Sequence, residues 1–336
     1  MFKFYFVSLI SIACLLFSCS NNPYKRDVDS VNPTFIILPH QIHILELSKH
    51  YSAEKKQELA TLYGPFFESY NVRIMKLPIS SDTAYPRKLN ELLNEDWIQE
   101  LYSKTKEVFQ DSLFVYKQLK PALQYYLYYF PKKQIPRFAT FIGGVQYSVV
   151  IDSNLIAIGI DKYLGQNYDL YKDMEISSFV RRNMYKEKIA GDVMRAMAEN
   201  EFPEPFSEQY LLAHMIQQGR YMYFVKCMLP ETPDTVLWGY TARQLEFCEK
   251  SEGEFWKYFV STDNTLFSSD YMTIKRFIDD GPFTPVFTKE SPGKIGQWIG
   301  FRIVESFMKK NPTVTLEELF AIESAQEIMR KSKYNP

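Results

Sequence analysis

Apolar and polar positions alternate with three different rhythms along this chain. From Phe4 to Phe17 the apolar run is interrupted only by Ser8 and Ser11, behind a single basic residue, Lys3. Phe35 to Leu38 and Ile42 to Leu47 are short apolar clusters around Pro39 and predict two strands; Ser52, ahead of Ala53-Glu54-Lys55, predicts an N-capped helix. Between Trp97 and Phe130 the apolar residues Ile98, Leu101, Val108, Leu113, Leu119, Leu123 and Leu127 recur at helical spacing, and Pro121 predicts a break or kink, hence two helices. After Pro136 the period shortens. Phe138 to Ile142, Tyr147 to Ile151 and Leu155 to Ile160 are β-branched or aromatic runs divided by Gly143-Gly144 and Asp152-Ser153-Asn154, which predicts a small antiparallel sheet. Helical spacing returns from Met184: Ile189, Val193 and Met197 share a face, and further helices are expected over 211–226, 242–258 and 293–308. The last helix opens on a capping box, Thr315-Leu316-Glu317-Glu318. The class implied is α+β, mainly helical, with the sheet followed by a helical C-terminal half.

The first run is too short for a comfortable membrane span, which needs about 20 apolar residues. It ends in Leu16-Phe17-Ser18-Cys19, so the order is basic residue, apolar stretch, small residue, cysteine. That order predicts a lipoprotein signal peptide over 1–18, removed after its thiol neighbour Cys19 has received a lipid. The polar, proline-punctuated stretch 19–34 then predicts a tether, and 35–336 a single globular domain with an N-terminal part to 130 and a sheet-plus-helical part from 131. Acyl chains contribute roughly 0.8 kcal/mol per buried methylene, so a multiply acylated cysteine, bearing palmitate-type chains, anchors without a spanning helix.

Composition narrows the classes. A chain that is 46% hydrophobic and 16% aromatic packs a core and is not a disordered stalk. Thirty-nine basic residues against forty acidic ones give a net charge of -1, which disfavours nucleic acid as a partner. With Cys19 acylated and Cys14 removed, Cys227 and Cys248 remain. In an oxidising envelope they either pair or stay as buried thiols, and the sequence leaves both readings open.

Several long strings carry a resemblance that runs essentially end to end. They are Tyr63-Gly64-Pro65-Phe66-Phe67, the stretch from Ile158 to Gly165 (IGIDKYLG), and Gly239-Tyr240-Thr241-Ala242-Arg243-Gln244. They continue in Leu266-Phe267-Ser268-Ser269-Asp270, in 290–300 (ESPGKIGQWIG) and in the terminal Lys331-Ser332-Lys333-Tyr334, together with the Cys19 lipobox. In these the chain resembles the gliding motility lipoprotein GldB family of Bacteroidota. The resemblance implies a lipid-anchored cell-envelope protein, on the cell membrane or outer membrane, with envelope protein partners related to the gliding machinery. No acidic run follows Cys19, and a domain facing the periplasm is expected.

The order of elements in the second half also looks like that of zinc peptidases of the HExxH type. In those, histidines at i and i+4 hold zinc and the glutamate between them polarises water. Aligned on that slot, this chain places Gly191 and Arg195 where histidines would stand, Asp192 where the glutamate would stand, and Gln218 at the acidic position of the next helix. No metal ligand survives, so a degenerate site is expected, with no metal and no cofactor. Asp192 and Arg195, three apart, are expected to form an ion pair, either on the surface or as a buried relic of the slot. His40, His43 and His50 fit no common zinc spacing, and on a strand His40 and His43 would face apart. His214 stands alone, and no nucleophile elbow or phosphate loop is present.

Three functions compete. The expected one is a non-catalytic structural or partner-binding envelope lipoprotein, a pseudoenzyme in shape. The alternative is a metal-dependent or acidic peptide or peptidoglycan hydrolase using carboxylates such as Asp192, Glu199 or Glu201. The third is a carbohydrate- or lipid-handling protein that stacks ligand on Tyr125-Tyr126 and Tyr128-Tyr129.

Overall fold

A computed structural model describes residues 22–262 and 264–336; the expected signal peptide and Cys19 lie outside the described residues. The N-terminal part runs β1 (Ile37–Pro39), α1 (His40–Lys49), α2 (Ala53–Tyr63), α3 (Pro65–Glu68), a π-helical stretch Ser69–Ile74, α4 (Tyr85–Leu93), α5 (Asp96–Val108) and α6 (Phe114–Tyr129). The sheet strands β2 (Arg137–Phe141), β3 (Val149–Asp152) and β4 (Leu155–Gly159) follow. Then come α7 (Asp169–Asp173), α8 (Ser178–Arg181), α9 (Ile189–Glu201), α10 (Leu211–Met228), α11 (Asp234–Trp238), α12 (Ala242–Lys250), α13 (Glu252–Ser261), α14 (Tyr271–Ile278), α15 (Ile295–Lys310), α16 (Leu316–Ala321) and α17 (Ala325–Ser332). The fold is α+β and mainly helical, as the apolar spacing implies.

The sheet is mixed, not antiparallel. Its order is β1-β2-β4-β3, with β1/β2 and β2/β4 parallel and only β3/β4 antiparallel. The reason lies in burial on both faces. Phe138, Ile156 and Ile158 belong to a large core with α6, α9, α10 and α15, whereas Ala139, Phe141, Leu155 and Ala157 belong to a smaller core with α1 to α5. Strands covered on both sides read as continuous apolar runs, the signature of parallel pairing that local hairpin spacing hides. The link from β2 to β3 therefore crosses the end of β4. There a Cβ on Gly159 would stand 2.0 Å from the Tyr147 carbonyl oxygen, so only glycine fits.

The second expected strand is instead α1. His40, Ile44 and Leu47 are its buried positions, a four-then-three spacing that belongs to a helix. His40 finds no hydrogen-bond partner among the described residues on either ring nitrogen, boxed by the rings of Tyr63, Phe66 and Tyr70 at 4.6, 5.2 and 4.2 Å between centroids. Burial, then the nearby His43, pushes its pKa from 6.5 down to about 3. The folded state thus holds fewer protons, so the stability that neutral His40 supports is full above pH 6.5 and is lost as pH falls toward 3. By pH 4 that loss is about 3 kcal/mol. Asp161 works in the opposite direction, because burial raises its pKa to about 6. Urea titrations of His40→Phe beside the parent chain are expected to differ in pH slope by that amount between pH 7 and 4; parallel slopes would exclude a neutral buried His40.

Two further differences concern segment ends. Pro121 lies inside α6 without breaking it, and the segment expected as one helix over 242–258 is two, parted at Ser251. From Asn22 onward the expected tether is docked on the large core. Tyr24 and Val28 are buried, Asn22 Nδ2 donates to the Pro230 carbonyl at 2.8 Å, and Gln124 Nε2 donates to the Val31 carbonyl at 2.9 Å. Cys227 and Cys248 are buried free thiols and form no disulfide. No helix among the described residues is long and apolar enough to cross a membrane.

Candidate functional site

One crossing of two helices sets the geometry of the second half. α10 and α15 meet where Gly219 faces Gly300. A Cβ on Gly300 would lie 1.7 Å from the Met215 carbonyl oxygen, and one on Gly219 would lie 2.3 Å from the Gly300 backbone. This approach brings Gln218 of α10 and Gln297 of α15 onto one wall, facing α9. On α9, Lys188 at the N-cap, Asp192 and Arg195 succeed each other at one-turn intervals.

The four slot residues Gly191, Asp192, Arg195 and Gln218 all line one cavity of about 590 Å³, with Lys188, Lys294, Gln297, Asp280, Leu237 and Trp238 also on its walls. Arg195 donates to Gln218 Oε1, and its Nη1 lies 3.4 Å from Gln297 Oε1. Gln297 in turn donates to the Ile278 carbonyl at 2.7 Å. Asp192 accepts from the Tyr163 hydroxyl at 2.8 Å and lies 3.9 Å from Lys188 Nζ. Lys188 is buried and donates to the Val236 and Leu237 carbonyls at 2.8 and 3.2 Å. Lys294 stands at the start of α15 with its backbone left-handed (φ 61°) and its ammonium 3.6 Å from Asp280.

The expected Asp192–Arg195 ion pair is absent. Arg195 pairs with Glu199 at 2.9 Å, the i+4 position, and Asp192 turns back toward Lys188 at i-4. Four residues bring the two side chains of a helical pair almost onto one line, whereas the Gln218–Gln297 wall draws Arg195 away from Asp192. Burial lowers the pKa of both Lys188 and Lys294; Asp192 opposes this for Lys188 and Asp280 for Lys294, while their mutual repulsion with Arg195 adds to it. Three cations thus face the carboxylates Asp192, Asp279 and Asp280 around apolar walls. Such a balanced, donor-rich surface suits a ligand of mixed polarity better than a simple ion.

The other candidate carboxylates do not join this cavity. Glu199 is held by Arg195, and Glu201 accepts from the Tyr126 hydroxyl at 2.6 Å with Lys133 at 3.3 Å. The tyrosine run does not form a platform either: Tyr125 and Tyr126 are buried, and only Tyr128 is exposed. His40 and His43 lie on α1 in the smaller core, with His43 Nδ1 2.7 Å from the Tyr63 hydroxyl. Among the described residues no group of three or more His, Cys, Asp or Glu is placed to hold a metal ion.

Sequence reasoning missed Tyr163, Lys188, Lys294 and Gln297. A signal for three of them was present. Tyr163 lies in the 158–165 string and bonds to Asp192 on the cavity wall, and Lys294 and Gln297, in the 290–300 string, line the cavity themselves. A second cavity, of about 690 Å³ and lined by Tyr168, Arg182 and Tyr240, shares Asn183 with the first. A Cβ on Gly239 (φ 68°) would stand 2.4 Å from Asn183 Oδ1, so glycine there leaves room for the side chain that both cavities share.

A family model described as "Gliding motility protein GldB" matches residues 21–336. No curated protein and no solved structure matches the chain.

Proposed function

The chain belongs to the GldB family of gliding motility proteins, and on that premise we propose that it is a lipid-anchored component of a gliding apparatus, held in the envelope by acylated Cys19 with its domain in the periplasm. It acts by holding an envelope protein in the cavity between α9, α10 and α15, without chemistry of its own. The observation that carries this reading is the bonding inside that cavity. Arg195 is clasped by Gln218, Gln297 and Glu199, and Asp192 by Tyr163 and Lys188. A general base needs a free lone pair aimed at a reacting proton, and a hydrolytic metal needs three or four converging ligands. Here Arg195 is tied to three neighbours, Asp192 accepts one short hydrogen bond, from Tyr163, and among the described residues no set of metal-ligating side chains converges on them.

The likeness to zinc peptidases enters the same proposal as a shape whose ligand positions hold Gly191, Arg195 and Gln218. The arginine's charge would repel a dication at that point. Protein prepared from envelopes without chelator is expected to carry far less than one zinc per chain by plasma mass spectrometry; one zinc per chain would overturn the reading in favour of hydrolysis.

The anchor makes its own prediction. Cys19→Ser is expected to move the protein from the membrane to the soluble fraction with its melting temperature unchanged and to abolish gliding in a strain that glides. A tether raises local concentration at the membrane into the millimolar range for a short flexible link, an advantage the soluble form lacks. Full motility with a soluble chain would remove the anchor from the mechanism.

A further inference from the structure

Where the chain leaves its anchor, the fold presents a surplus of positive charge. Asn22 is bonded to Pro230, Tyr24 packs edge-on to Tyr223 at 5.6 Å and donates to Glu305, and Lys25 lies 3.2 Å from Glu231. Docking is therefore already in place three residues after Cys19. Three peptide steps span at most about 11 Å, so an acylated Cys19 keeps Asn22 within roughly that distance of the bilayer.

The depression beside Tyr24, of about 1010 Å³, is lined by Arg26, Lys309, Lys310 and Lys333. Its side-chain carboxylates are already occupied: Glu305 by Tyr24 and Arg302, and Glu252 by Arg302 at 2.9 Å and by the Tyr334 hydroxyl at 2.7 Å. Among the described residues the Arg26 guanidinium donates only to the Pro23 and Lys25 carbonyls, and the Lys310 ammonium to the Lys333 carbonyl. All four cations are exposed, and among the described residues none has a carboxylate within 4.0 Å. Asp27 and Asp29 lie on the stretch that leaves along α6 and do not line this depression.

We propose that the face carrying Arg26, Lys309, Lys310 and Lys333 lies on an anionic lipid surface, as a second attachment that fixes the orientation of the anchored domain. The proposal rests on acylation of Cys19. A free lipid-anchored domain would tumble on its tether. A tether this short lets the cations come within a Debye length, roughly 8 Å at physiological salt, of lipid headgroups whenever this face turns to the bilayer. A basic residue at an anionic leaflet contributes about a five-fold gain in partitioning, so several together are decisive for orientation. The consequence for the site is that the α9 cavity keeps a constant height and aspect above the membrane.

The test uses the mature lipidated chain in vesicles of phosphatidylcholine, with or without phosphatidylglycerol. A fluorophore is placed on Asn335→Cys, in the basic depression, or on Glu58→Cys, on α2 of the smaller core, and headgroup spin-labelled lipid is the quencher. In phosphatidylglycerol vesicles the Asn335 label is expected to be quenched several-fold more than the Glu58 label. The triple variant Arg26→Glu, Lys309→Glu, Lys310→Glu, with melting temperature unchanged, should erase that difference. The non-acylated mature chain carrying Cys19→Ser should bind phosphatidylglycerol vesicles, and the same triple reversal should weaken that binding on the order of a hundred-fold. Equal quenching at both labels, or binding indifferent to phosphatidylglycerol, would overturn the proposal and point to a protein or wall polymer as the partner of this face. Intact mass separates the two failures. An acylated Cys19 with equal quenching sinks the orientation alone, and an unmodified Cys19 sinks the anchor and the orientation with it.

Discussion

Gly300→Ala is expected to destabilise the folded chain by about 3 kcal/mol or more, at or beyond the upper end of ordinary overpacking. The added methyl would sit 1.7 Å from the Met215 carbonyl oxygen, and that obstacle is helix backbone, which has no rotamer to change. Relief requires α10 and α15 to separate along their whole contact, which includes the buried faces of Met215, Ile216, Ile299 and Ile303. Gly219→Ala meets the same contact from the other side, so the double variant should cost much less than the sum of the singles. Gly253 supplies the control, because a Cβ there finds its nearest neighbour at 3.8 Å and α13 would gain helix propensity. Gly253→Ala is expected to be neutral or up to about 1 kcal/mol stabilising. Thermal unfolding followed by circular dichroism decides; a Gly300→Ala chain melting with its parent would mean that the helices do not cross in backbone contact.

Arg220→Ala is expected to cost a similar amount, about 3 to 5 kcal/mol. The guanidinium is wholly buried and, among the described residues, makes no ion pair. Its Nη2 donates to the Ile322 carbonyl at 2.6 Å, Nη1 approaches the Phe320 carbonyl at 3.5 Å, and its plane lies 4.2 Å over the Phe206 ring. Those carbonyls end α16, where the helix dipole is negative and four carbonyls lack intrahelical partners. Alanine would leave the Phe320 carbonyl buried without this donor, at about 1 to 3 kcal/mol, and the half-buried Ile322 carbonyl without its partner, together with a cavity the length of the lost side chain. Arg220→Lys should recover only part, since an ammonium cannot bridge two carbonyls and stack at once. Chemical denaturation with both variants checks the order, and a Lys variant as stable as the parent would mean that the planar fork is not what ties α16 down.

How much of this was legible in the sequence varied with the range of the interaction. Ser52 and the Thr315/Glu318 capping box were readable because an N-cap is decided within three residues, and both side chains accept the expected backbone amides. The sheet's parallel pairing was not, because it is fixed by helices on both faces rather than by the turn at Asp152-Ser153-Asn154. α1 reads as a strand in the sequence since Ile42 and Leu45 thicken the short apolar cluster, although Ile42 is exposed and His40 is the buried partner of Ile44. Pro121 failed to break α6 for a tertiary reason: buried Leu119, Ala122 and Leu123 hold that turn against the core. Gly219 and Gly300 are ordinary glycines until the fold sets them against each other.

At the candidate site, aligning the helices on a metal slot selected Gly191, Asp192, Arg195 and Gln218, and the fold gathers all four around one cavity. What a sequence could not give was their bonding. The i,i+3 rule paired Asp192 with Arg195, yet Gln218 and Gln297 arrive from helices 23 and 102 residues further on and capture the guanidinium first. Tyr163 reaches Asp192 in the same way, from the segment after β4.

The central claim is that this cavity holds an envelope partner, and photo-crosslinking in living cells tests it most directly. A photoreactive residue replaces Met222, on the cavity wall, or Glu58, on α2, in the full lipoprotein, and adducts are read by mass spectrometry. One discrete envelope protein is predicted from the Met222 position alone, and it should disappear when Arg195→Met is added to a chain that still melts like its parent. The same adducts from both positions, or a Met222 adduct indifferent to Arg195, would contradict the account.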